Sequence, residues 1–129
     1  MEQLIYKKKI KSFTDLIAWK ESHDLVLRIY QLTSTFPKEE QFGLVSQLRR
    51  ASVSISSNIA EGFSRNSNKE KIQFYYTAKG SLTEVQNQLL ISKDLSYLKK
   101  ESFNTMALQS VKVSKLIVGL IKSLKLSNI

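Results

Sequence analysis

The residues able to move protons or hold metals are scarce in this chain. It has one histidine, His23, and no cysteine, which removes disulfides, thiolate metal ligands and cysteine nucleophiles together. A lone histidine on a helix is most often a surface or packing residue. A di-iron bundle would need Glu-x-x-His pairs on two helices. Helical ribonucleases that pair an arginine with a histidine a few residues later find no match, because no arginine precedes His23. Gly43, Gly62, Gly80 and Gly119 stand singly, so no loop could cradle a phosphate. Serines are abundant but lack a base to activate them. The expectation is a protein without catalytic residues, metal or cofactor.

Charge is what remains. The chain carries a formal +9, unevenly placed. Residues 1–14 hold four lysines and one acid, and Ser102 to Ile129 hold four lysines and none, whereas the long centre is nearly balanced. Such a field attracts polyanions, nucleic acid above all. Arg49, Arg50, Arg65, Lys69, Lys71 and Lys79 gather around the second and third predicted helices. Lys112, Lys115, Lys122 and Lys125 project from one side of the fourth. These ten are the candidate nucleic-acid contacts, and nothing among them resembles a recognition helix that reads base edges.

A second constellation is polar. Gln47, Arg50, Ser54, Asn58, Glu61 and Arg65 recur at spacings of three and four, forming one stripe that flanks the apolar face of its helix. Ser81, Glu84 and Gln88 offer a facing row. The stripe is either a solvated flank or a polar seam, within the bundle or between subunits, where Arg50 or Arg65 pairs with a glutamate.

Four helices must position these residues. The first runs from about Asp15 to Thr33 behind a cap at Thr14, with Leu16, Trp19, Val26, Ile29, Tyr30 and Thr33 inward. The second runs from about Glu39 to Gly62, its stripe being Leu44, Leu48, Ala51, Ile55, Ile59 and Gly62, with Gly62 as C-cap. Serines at 52, 54, 56 and 57 could soften it. The third opens on a Ser67–Glu70 capping box, buries Ile72, Tyr75, Tyr76, Leu82, Val85 and Leu89, and ends near Ser96-Tyr97. The fourth, about Ser102 to Leu126, carries two seven-residue series: Met106, Val113, Leu120 and Phe103, Ser110, Ile117, Leu124. That seam suits near-parallel packing.

A length of 129 residues, 42% of them hydrophobic, with a single proline, fits one all-α domain. The expected architecture is an antiparallel up-down four-helix bundle over residues 13–126, preceded by a basic extension over 1–12. The lysine-rich start lacks the apolar run of a signal peptide, and Leu116 to Leu124 is too short to span a bilayer. A cytoplasmic protein without membrane contact is the simplest expectation.

The run Gln47-Leu48-Arg49-Arg50-Ala51-Ser52-Val53-Ser54-Ile55, continuing into Ser57-Asn58-Ile59-Ala60-Glu61-Gly62, resembles the four-helix-bundle family often encoded in intervening sequences of 23S ribosomal RNA genes. Asp15-Leu16 with Trp19-Lys20, Phe36-Pro37 with Glu40, Gly43-Leu44, Arg65, Gly80-Ser81 with Glu84, and Leu95 with Tyr97-Leu98 add to it. The similarity covers roughly residues 13–124. Ser56 departs from it, since many relatives carry proline there. The resemblance implies a homopentamer with a basic surface and suspected nucleic-acid binding. A related branch resembles the accessory protein of diversity-generating retroelements, a pentameric partner of a reverse transcriptase.

Two functions compete on this evidence. One is a non-enzymatic homo-oligomer, a pentamer by resemblance, that binds RNA or DNA through the phosphate backbone with little sequence preference. The other is an assembly or adaptor protein that binds a protein partner such as a reverse transcriptase.

Overall fold

The computed structural model describes residues 9–127. Among these the chain is all-α, with α1 (Ile17–Thr33), α2 (Leu44–Ser64), α3 (Asn68–Asp94) and α4 (Lys100–Leu126), and short 3-10 turns at Phe13–Asp15 and Lys38–Glu40. Each helix packs on its sequence neighbours, α4 closes the circuit on α1, and the diagonal pairs stand apart. Connections as short as residues 65–67 and 95–99 make neighbours antiparallel. The expected four-helix bundle is present.

The helix starts show which local signals decide. Ser12, not Thr14, is the first cap: its hydroxyl accepts the Thr14 N–H at 3.2 Å, and the Asp15 carboxylate accepts the Ser12 N–H at 3.1 Å. That box closes a 3-10 turn, so α1 begins later than the pattern suggests. Helix α2 likewise begins at Leu44 rather than Glu39, because Lys38–Glu40 forms its own turn. The Glu40 carboxylate then reaches forward to accept the Leu44 N–H at 3.1 Å, occupying space where a Cβ on Gly43 would sit only 2.6 Å away. At α3 the Ser67 hydroxyl accepts the Glu70 N–H at 3.1 Å, as expected, while the Glu70 carboxylate meets the Ser67 hydroxyl instead of its backbone.

Helix α3 ends without glycine. Ser96 adopts φ 65°, Ser96 N–H bonds the Lys93 carbonyl and Tyr97 N–H bonds the Ser92 carbonyl, both at 2.9 Å. This is the paired hydrogen-bond pattern of a Schellman turn, with serine where glycine is usual.

The core centres on Leu25 and Ile29 of α1, Leu48, Ile55 and Ile59 of α2, Leu82, Val85 and Leu89 of α3, and Val113 and Ile117 of α4. Each buried aliphatic side chain contributes about 1.5–3 kcal/mol relative to exposure. The stripe on α2 and both series on α4 face inward, with Leu44, Phe103, Leu120 and Leu124 at the margin. Tyr30 and Tyr76, expected inside, are 42% and 47% exposed. Gly62 is not a C-cap either. It lies inside α2, buried, where an added Cβ would come within 2.7 Å of the Tyr75 ring. Its role is close helix approach. The serine-rich stretch is continuous α-helix.

Candidate nucleic-acid interface

The heptads of α4 turn Met106, Val113 and Ile117 inward, which leaves Lys115 and Lys122 on the opposite, exposed side. Two helical turns, roughly 10 Å along the axis, separate them. Neither makes an ion pair among the described residues. Lys115 and Lys20 of α1 both line a groove of about 590 Å³ between the two helices, which also contains Asp15. The Asp15 carboxylate accepts the backbone N–H groups of Lys11 and Ser12.

The other two lysines of this set lie at the flanks. Lys112 Nζ is 3.4 Å from Glu21 Oε2 on α1. Lys125 Nζ donates to the Tyr76 hydroxyl at 2.8 Å and sits over that ring. Lys69 and Lys79 on α3 are exposed and without an ion-pair partner among the described residues. Lys7 and Lys8 lie outside the described residues; Lys9 and Lys11 are exposed.

The cations between α1, α2 and α3 serve the fold before they serve any ligand. Arg49 Nε donates to the Thr33 hydroxyl at 3.0 Å and Nη2 to the Tyr30 carbonyl at 3.3 Å, with the guanidinium 4.6 Å above the Tyr30 ring. Lys71 Nζ donates to the Phe63 carbonyl at 2.6 Å and lies 5.2 Å from the Phe63 ring, closing the C-terminal end of α2. Arg65 spans Glu61, 3.1 Å away on the same helical face, and the Phe74 ring.

The polar stripe divides. Its middle is a seam between α2 and α3: the Ser54 and Ser81 hydroxyls are 2.8 Å apart, and Asn58 Nδ2 donates to the Ser54 carbonyl at 2.8 Å and hydroxyl at 3.1 Å. Its ends are surface. Arg50 Nη2 donates to Gln47 Oε1 on its own helix, and Glu61 and Arg65 are half exposed. Glu84 is exposed. Within one chain, then, no arginine–glutamate pair of this stripe is buried. The Glu61–Arg65 pair has the geometry of a surface pair worth a few tenths of a kcal/mol, and burying it would take a second subunit.

The buried serine hydroxyls are already committed. Ser22, Ser52, Ser92 and Ser110 donate to carbonyls three or four residues back, at 2.7–3.0 Å, which satisfies them without a catalytic base. His23 is exposed and stacks on Trp19 with centroids 4.7 Å apart. Burial pushes the Tyr75 phenol above its usual pKa; the hydrogen bond to Glu40, then burial and the nearby carboxylate charge, do so for Tyr97. Both stay neutral and serve packing. Among the described residues no three acidic or histidine side chains gather as a metal site would need, and no helix is long and apolar enough to cross a membrane.

Two residues escaped the periodic reading. Gln109, buried, donates to the Glu21 carbonyl at 3.3 Å and the Asp24 carboxylate at 2.8 Å, tying α4 to α1. Phe42, in the turn before α2, is 94% exposed; an aromatic next to a helix-start glycine, outside any apolar stripe, was the available signal.

The family model for 23S rRNA-intervening sequence protein matches residues 14–119, which span all four helices except the last turns of α4. No curated protein matches the chain. Among solved structures, a protein of unknown function from the S23 ribosomal protein family of Bacteroides thetaiotaomicron is similar with a TM-score of 0.74 and 22% identity, over 82% of this chain and 99% of that one. At that identity the likeness speaks for the fold alone. With the helical order, the packing and the family match in agreement, the chain belongs to the 23S rRNA-intervening sequence protein family.

Proposed function

We propose that this protein is a non-enzymatic homo-oligomer that binds nucleic acid through backbone phosphates. The observation that carries the reading is the outer side of α4, where Lys115 and Lys122 stand exposed on a stretch without a single acid from Ser102 onward. Lys20 across the α1–α4 groove extends the same field. Phosphate contacts of this kind give affinity and position but carry no sequence information. RNA is placed first because the family's description ties its members to a ribosomal RNA sequence.

Fluorescence anisotropy with single- and double-stranded RNA and DNA tests this. Lys115→Gln combined with Lys122→Gln should weaken all four ligands together. Lys38→Gln with Lys99→Gln, exposed cations in the turn before α2 and at the far end of α4 from Lys122, should weaken them far less. Equal losses in the two double variants would contradict a contact face on α4.

Assembly is supported by the family resemblance and by large apolar side chains left uncovered away from the outer row of α4: Leu27 at 50%, Leu90 at 46% and Leu95 at 51% exposure. Light scattering coupled to gel filtration should return about five times the 14.8 kDa chain mass. A monomer at micromolar concentration contradicts it. Leu108 and Leu126, 74% and 69% exposed on the same side of α4 as Lys115 and Lys122, favour instead the second reading, an adaptor whose partner is another protein, a reverse transcriptase in the related branch. If no nucleic acid binds at low salt, that reading takes the lead.

A further inference from the structure

We propose that Phe42, with Arg49 and Arg50, forms a stacking site for single-stranded nucleic acid beside the start of α2. The proposal rests on the nucleic-acid reading above and narrows it to unpaired bases.

Phe42 is the most exposed large apolar residue among those described, at 94%, and its exposure is held in place. The turn that carries it is pinned on both sides by Glu40. The Glu40 carbonyl accepts the Gly43 N–H at 3.0 Å, Oε1 accepts the Leu44 N–H at 3.1 Å, and Oε2 accepts the Tyr97 hydroxyl at 2.9 Å. Gly43 permits this because its missing Cβ leaves room for Oε1. The ring therefore stands out from an ordered turn instead of folding back onto the bundle.

Beside it lies a groove of about 380 Å³ lined by Tyr30, Phe42, Ser46, Arg49 and Arg50 among others, with no carboxylate in its walls. Arg49 is fixed against Tyr30 and Thr33 through Nε and one Nη2 hydrogen. Its other three N–H donors have no partner among the described residues, so they remain free for phosphate oxygens. Arg50 is exposed, with one bond to Gln47. An exposed aromatic face beside one fixed and one mobile-ended guanidinium group, with the Glu40 carboxylate engaged by Leu44 and Tyr97 behind the turn, is a combination by which single strands are held: a base stacks, and its phosphate meets the cations. A duplex keeps its bases stacked on one another and offers Phe42 nothing. An apolar protein surface would have to desolvate both arginines without returning a charge.

The test compares two labelled strands of about twelve nucleotides, within the span such sites cover: oligouridylate, and an abasic strand with the same number of phosphates. Wild-type protein should prefer the base-bearing strand. Phe42→Ala should weaken that strand about tenfold, as expected for one lost stack, and leave the abasic strand unchanged. Phe42→Trp should keep the preference. Light scattering on the same samples should show an unchanged mass for Phe42→Ala. The proposal is overturned if wild type binds both strands equally, if Phe42→Ala keeps the preference, or if that variant loses its oligomeric mass, which would assign the ring to a second copy of the chain. Equal binding of the two strands spares the backbone reading, whereas binding to neither removes both.

Discussion

Gly62→Ala should destabilise the bundle, by about 1–3 kcal/mol, while Gly80→Ala should stabilise it by about 0.5–1 kcal/mol. Both glycines lie within helices, where alanine is favoured by close to 1 kcal/mol on propensity alone. What separates them is the space around the added carbon. At Gly80 nothing lies within 4 Å, so only the propensity gain is felt. At Gly62 the carbon would meet the Tyr75 ring at 2.7 Å and the Phe74 Cβ at 3.0 Å. Tyr75 is 3% exposed and has nowhere to go. The helices α2 and α3 must then separate locally, which disturbs contacts along their shared face. Urea unfolding of the two variants beside wild type reads both signs in one experiment. A stabilised Gly62→Ala would mean that the α2–α3 approach is looser than the geometry requires.

Ile55→Ala should cost about 4 kcal/mol, near the upper range for an aliphatic truncation in a packed core. Ile55 is at 0% exposure in the middle of α2, within the cluster that includes Leu25, Leu82 and Val113. Removing its outer carbons leaves a void bounded by well-packed neighbours on several helices, so little of it can collapse. Val53→Ala, two residues away but 38% exposed, should cost under about 1 kcal/mol by the same measure. Comparable losses at the two positions would argue that α2 is rotated relative to the rest of the bundle.

Most of the fold was legible because the apolar spacing of α2 and α4 agrees with the positions that become buried, and because Ser67 with Glu70 states a helix start in plain residue types. Three features were not legible, each for a physical reason. Glycine marks both helix ends and close approaches, so Gly62 reads as a boundary until Tyr75 is placed against it. Tyrosine spans both environments, and spacing alone cannot say that Tyr30 and Tyr76 lie at the rim under Arg49 and Lys125. The left-handed residue that ends α3 is a serine, so the usual signal for such a turn is missing.

The candidate site was legible in total and not in detail. Counting charges locates the excess at the ends of the chain, but it cannot tell a free cation from one engaged inside the fold. Lys71 closes the end of α2 and Arg49 commits two of its five donors to Tyr30 and Thr33, whereas Lys115 and Lys122 are exposed and make no ion pair among the described residues. The polar stripe was visible from its spacing, yet only its middle, Ser54 with Asn58 and Ser81, became a seam. That outcome depends on which part of α2 faces α3, and it needs the partner helix.

The salt dependence of wild-type binding tests the central claim most directly. Each phosphate neutralised by lysine or arginine releases condensed counterions, so log affinity should fall linearly with log salt, by about 0.7 per contact for single strands and about 0.9 for duplexes. Anisotropy titrations between about 50 and 200 mM salt, with strands of equal length and unrelated sequence, should give steep slopes that are nearly the same for every sequence of a given strandedness. A flat dependence on salt, or binding that survives for one sequence and vanishes for another, would contradict a protein that holds nucleic acid by its backbone.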